Sequence, residues 1–192
     1  MPDPNIPPAV PALRRGLDAL YLGAGWLAGL FLLAIFVLMM LLSAGRFAGM
    51  NVPAGDDFVA WSMAASAFLG LAHTFKSGEL IRVGLVTDRL TGRAKQAVEL
   101  ACLVIGVATV GFFAWHAVLF TWDSWRFSDV SQGVVAVPLW LPQLGYSGGL
   151  VILFIAFVDE LAHAARGGAP RYEKPPPNDD AELVERAMQS GV

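Results

Sequence analysis

Charge is scarce in this chain. Only 15% of its 192 residues are Asp, Glu, Lys or Arg, where a soluble domain carries about 25%. The deficit falls in blocks, which describes a membrane protein with polar connectors rather than a uniformly apolar chain. Mean hydropathy is +0.57. Cysteine is almost absent. Cys102 is the single one and lies inside an apolar run, so neither an internal disulfide framework nor a Cys-based metal site can form. The apolar runs do not alternate with polar residues, which argues against a membrane β-barrel. No nucleophile–His–acid set, phosphate-binding loop or metal-ligand spacing is present. No enzymatic activity and no cofactor of the chain's own are expected. The net charge of −3 says little, because in a membrane protein the distribution of charge matters more than its sum.

What is there is four long stretches without charge. No charged residue occurs between Asp18 and Arg46, a gap of 27 residues. A helix needs about 20 residues to cross the ~30 Å hydrocarbon core. This first run is too long for the apolar part of a signal peptide, which is about 7–15 residues. Cleavage after Ser43-Ala44-Gly45 would in any case leave the later spans as they are. The second gap covers Phe58 to Phe75, the third Leu100 to Trp122, and the fourth runs from about Val137 to Val158. Pro138 stands near the start of the fourth, where a missing N–H is tolerated. The expected fold is all-α, with transmembrane helices at about 19–45, 58–75, 100–122 and 137–158 inside a membrane domain spanning 17–166. Residues 1–16 hold five prolines and are expected to be a disordered lead-in. Residues 167–192, with Gly-Gly and a Pro triplet, are expected to be a disordered, solvated tail.

Cation counting gives an orientation. Arg14 and Arg15 precede the first span, Lys76, Arg82, Arg89, Arg93 and Lys95 lie between the second and third, and Arg166, Arg171, Lys174 and Arg186 follow the fourth. Only Arg46 and Arg126 lie in the other two connectors. The split of 11 against 2 puts both termini in the cytoplasm by the positive-inside rule. Asp56, Asp57, Asp123 and Asp129 then fall outside. Trp61, Trp122, Trp125 and Trp140 all come out at the outer interface, as an aromatic belt some of whose rings could also meet an outside partner.

Ionisable groups deep in a span are costly and therefore functional by default. The first span has none, which argues against a small proton-coupled pump. Glu99, Asp159 and Glu160 sit at inner edges and are expected to be solvated at the interface. His73 and His163 lie near the inner ends of two spans, so a haem- or quinone-bearing anchor of a redox enzyme is the alternative reading. His73 is expected to bond across helices or to an interfacial phosphate, and His116 to a neighbour within the bundle. Gly25 and Gly29, Gly45 and Gly49, and Gly145 and Gly149 are pairs four apart, a spacing that lets helix backbones approach.

The stretch from Asp56 to Lys95 organises the rest. Its first half is the second span, and its second half is short, basic and partly amphipathic. On a helix, Arg82, Arg89 and Arg93 fall within ~40° of one another. The segment is expected to lie at the cytoplasmic leaflet with its arginines toward anionic phospholipid headgroups.

At these residues the chain resembles a known family, the small membrane subunit of tripartite ATP-independent periplasmic (TRAP) transporters. Arg46-Phe47 matches the Arg-aromatic end of the family's first helix. Asp56, Asp57 and Trp61 match the acidic and aromatic opening of its second. Leu69-Gly70-Leu71-Ala72 follows as a Leu-Gly-Ala-like run. Gly78, Glu79, Leu80, Ile81, Arg82 and Val83 match a Gly-Glu-His-Ile-Arg-Val-like stretch, with Leu80 where the family often has His. Gly133, then Pro138, Leu139, Trp140, Leu141 and Pro142, match the run before the fourth helix. The match covers roughly residues 20–163. The resemblance implies a stator-like scaffold in the bacterial inner membrane. Its implied partners are a large membrane subunit holding the substrate and sodium sites and a periplasmic substrate-binding protein, with no nucleic acid. It further implies that Arg46, Asp56, Asp57, Trp61, Pro138, Trp140 and Pro142 form an outer rim near the binding protein, and that Gly78–Val83 anchors the subunit at the inner leaflet.

Overall fold

A computed structural model describes residues 12–50, 53–77 and 93–166. They form four helices, α1 (Ala12–Phe47), α2 (Gly55–Ser77), α3 (Arg93–Arg126) and α4 (Trp140–Ala165). Each is long and apolar enough to cross a membrane. A helix closes its hydrogen bonds within its own segment, so it is the form an uncharged run takes where there is no water to bond. The expected four-span α architecture is the one adopted. The basic segment read as interfacial, Gly78–Val83 with Arg89, lies outside the described residues, as do the tail from residue 167 and the lead-in up to residue 11.

The helices do not end where the charges begin. Arg14, Arg15 and Asp18 are inside α1, and Lys95 and Glu99 are inside α3. Charged residues set how deep a helix sits, but Arg, Lys and Glu are good helix formers and do not stop it. At 36 residues, α1 is about 54 Å long and overshoots the ~30 Å core.

Real stops come from caps. At the end of α1, the Met50 N–H donates to Gly45 O at 2.8 Å and the Gly49 N–H to Arg46 O at 3.2 Å. Gly49 takes φ +72°. This is a Schellman cap with glycine in the left-handed position, so Gly49 ends a helix rather than packing one. At the end of α3, the Asp129 N–H donates to Ser124 O at 3.0 Å and the Ser128 N–H to Trp125 O at 3.3 Å, with Ser128 at φ +54°. It is the same cap built on a residue with a side chain. The fourth helix starts later than the charge gap suggests. Val130 and Pro138 form an antiparallel bridge, the Leu139 N–H donates to Asp129 O at 2.9 Å, and the Ser131 N–H donates to Val137 O at 2.8 Å. These bonds hold 130–139 as a closed loop. Pro142, not Pro138, occupies the first turn of α4, where proline costs no hydrogen bond.

In the bundle, α2 lies between α1 and α4, and α4 lies between α2 and α3; α1 touches α4 slightly. Chain direction puts the starts of α1 and α3 and the ends of α2 and α4 at one end, called here the terminal end. The opposite is the loop end. Small residues make the α1–α2 seam. Ala24 and Ala28 meet Ala65 and Leu69, and the Ser66 hydroxyl donates to Ala28 O at 2.9 Å. Toward the terminal end all four helices converge on Tyr21, Ala72, Phe75, Leu103, Leu153 and Ala156, with Phe75 stacked on Phe157 at 4.2 Å.

Candidate functional site

The glycines divide by what faces them. A Cβ at Gly149 would lie 2.5 Å from the Phe68 carbonyl carbon and 2.7 Å from the Leu69 nitrogen. One at Gly145 would lie 2.6 Å from Ala65 Cβ. Both are points where the backbones of α2 and α4 meet. Gly25 accommodates the His73 ring, 2.9 Å from its Cβ position, whereas Gly29 has nothing within 4 Å. The Gly25/Gly29 pair is therefore not one packing face within the chain. Gly106 and Gly111, which the four-residue spacing misses, receive Phe157 and Phe154 of α4.

At the terminal end, Lys76 ties α2 to α4. Its Nζ lies 2.7 Å from Asp159 Oδ2 and 3.8 Å from Glu160 Oε2, and 5.5 Å from the centre of the Tyr21 ring on α1. Glu160 is 1% exposed. This corrects the expectation that Asp159 and Glu160 are solvated edge residues. Neighbouring residues point about 100° apart on a helix, so Asp159 stays partly exposed while Glu160 falls on the face turned into the bundle, near the Lys76 cation.

At the loop end, the rim residues fall in two groups. Arg46, in the last turn of α1, and Asp56, in the first turn of α2, line one groove of about 330 Å³ with Met39, Leu42, Ser43 and Phe47. Asp57 and Asp56 both stand where carboxylates offset the helix dipole. Trp61 is half-buried and meets Phe58 edge-on at 5.2 Å. Trp140 lies on the other side, in a groove of about 650 Å³ shared with Trp122, Trp125 and Leu144. Pro138 is exposed and Pro142 half-buried. The two sides are joined by Asp57, whose Oδ2 would be 2.5 Å from a Cβ at Gly133. The α3–α4 loop can approach the start of α2 this closely because residue 133 has no side chain.

The histidines are not a set. The His73 ring lies on α1 at Gly25. His163 is in the last turn of α4. His116 is exposed on α3 and stacks loosely on Phe112, 4.4 Å between ring centres, rather than bonding within the bundle. Among the described residues, no three His, Cys, Asp or Glu side chains gather as a metal-ligand set.

Four spanning helices, joined by small-residue seams and a lysine clamp, define a small multi-pass membrane protein. Residues 35–167 match the family described as tripartite ATP-independent periplasmic transporters, DctQ component, and the chain belongs to that family, a class of transporter components. The match starts within α1 and takes in α2, α3 and α4. No curated protein and no solved structure matches the chain.

Proposed function

We propose that the chain is the small scaffold subunit of a TRAP-type secondary transporter in the bacterial inner membrane. It pairs with the large membrane subunit, widens the fixed part of the transporter, and helps a periplasmic binding protein dock for sodium-coupled uptake of an organic acid. The substrate and sodium sites belong to the large subunit, and this chain carries no chemistry or cofactor of its own. The family match across α2 to α4 carries this reading. The excess of cations at the terminal end supports a cytoplasmic placement of both termini, which turns Arg46, Asp56, Asp57, Trp61 and Trp140 toward the binding protein. The Gly78, Glu79, Ile81, Arg82 and Val83 segment would hold the subunit at phospholipid headgroups on the inner leaflet.

Affinity purification of the tagged full chain from membranes, followed by mass identification of the retained proteins, tests the pairing. The expected companion is one large multi-pass TRAP permease in near-equal amount. Retention of a redox enzyme's catalytic subunit instead, with a haem absorption band, would replace this reading by the redox-anchor one.

A further inference from the structure

Tyr146 of α4 faces Thr121 of α3 across the seam between them, and the Thr121 hydroxyl donates to Ala117 O at 2.9 Å. His116, one turn away on α3, has no such arrangement. It is exposed, and among the described residues its imidazole pairs with the Phe112 ring and makes no hydrogen bond. It lines a groove of about 570 Å³ with Phe68, Phe113, Phe120, Asp123 and Tyr146.

Depth makes this arrangement informative. His116 is seven residues from Asp123, about 10 Å along the helix axis. The exposed Trp122 and Trp125 mark the interface near Asp123. Lysine and arginine can reach the interface from such a depth on their long stems; an imidazole on a single methylene cannot. His73 differs, because it sits one turn from Lys76 and within reach of headgroups. A hydrogen-bonding ring held open in hydrocarbon is costly, and acyl chains offer it nothing. The cover that suits this groove is apolar around Phe113 and Phe120 and polar opposite His116, which a protein helix can be and a lipid tail cannot.

We propose that the α3 face built on Phe113, His116 and Phe120 receives a transmembrane helix of the large membrane subunit, which presents a hydrogen-bonding group to His116. The proposal rests on the scaffold-subunit reading and names the face that reading leaves open. A photoreactive benzoylphenylalanine placed at Phe113 or Phe120 of the full chain, in membranes holding the assembled transporter, should give an adduct identified as the large subunit. The same probe at Leu32 or Phe36, on the exposed side of α1, should not. His116→Leu should weaken retention of the large subunit roughly three- to ten-fold, the range of interhelical hydrogen bonds in membranes, and His116→Gln should restore it.

Adducts with lipid or with a second copy of this chain from Phe113 and Phe120, while the large subunit still co-purifies, would overturn the docking face and leave the subunit reading standing. Equal retention by wild type and His116→Leu would also overturn it. Loss of co-purification from the unmodified chain would overturn both.

Discussion

A glycine that meets backbone and a glycine that meets nothing predict opposite responses to the same methyl group. Gly149 lies 2.5 Å, from its Cβ position, to a carbonyl carbon of α2, and backbone cannot rotate away as a side chain can. Gly149→Ala must push α2 and α4 apart and should cost about 1–3 kcal/mol. Gly29→Ala meets open space and should leave the thermal midpoint in detergent unchanged or slightly higher, since alanine is the better helix former. Lys76 is the other residue on which the fold depends. Lys76→Met removes the cation that Asp159 meets at 2.7 Å beside a Glu160 that is 1% exposed, and losing one partner of a partly buried ion cluster should cost about 1–3 kcal/mol, less than a fully buried pair. A clear fall in the detergent Tm is the expected result. The sequence pointed to the glycines through a four-residue spacing, which tells which of them share a helix face. It does not tell whether a neighbour occupies that face: Gly145 and Gly149 meet α2, Gly25 meets the His73 ring, Gly29 meets nothing within 4 Å, and Gly106 and Gly111, which meet α4, lie outside the pattern. The Lys76–Asp159 contact joins residues 83 apart and has no local signature. His116 was visible as an ionisable group inside a span, but its outward direction emerges only once α3 is seen at the edge of the bundle.

At the scale of elements, the four helices were legible because a membrane leaves a long uncharged run few other forms. Their ends were not, because helices run on through Arg14, Asp18, Lys95 and Glu99. They stop at caps set by backbone conformation. The two Schellman caps make a matched pair. Gly49 adopts φ +72° freely, while Ser128 holds φ +54° with a side chain, a region where non-glycine residues are disfavoured. Ser128→Gly should therefore stabilise the end of α3 by about 0.5–1 kcal/mol, and Gly49→Ala should weaken the end of α1 by a similar amount. A thermal melt of each purified variant distinguishes these signs. The bridge between Val130 and Pro138 is likewise a product of loop closure. A reading of hydropathy assigned part of that stretch to the fourth helix, since Val137 to Leu139 are as apolar as the helix that follows.

For the molecule as a whole, the order of packing divides labour among the helices. α2 and α4 form the centre, held by backbone contact at Gly145 and Gly149 and by the Lys76 clamp. α1 and α3 flank them with broad apolar faces exposed. A protein that spends its close contacts in the middle and leaves both edges open is suited to being built into something larger, which accords with a family of transporter components. The proposed division of work places transport in the large subunit and rigidity in this chain. The sharpest measurement is sodium-driven uptake of the organic acid into proteoliposomes containing the large subunit and binding protein, with and without this chain, and into proteoliposomes containing this chain alone. Uptake only when both membrane subunits are present, with none from this chain alone, is the predicted result. Uptake by this chain alone, or full uptake by the large subunit without it, would contradict the account.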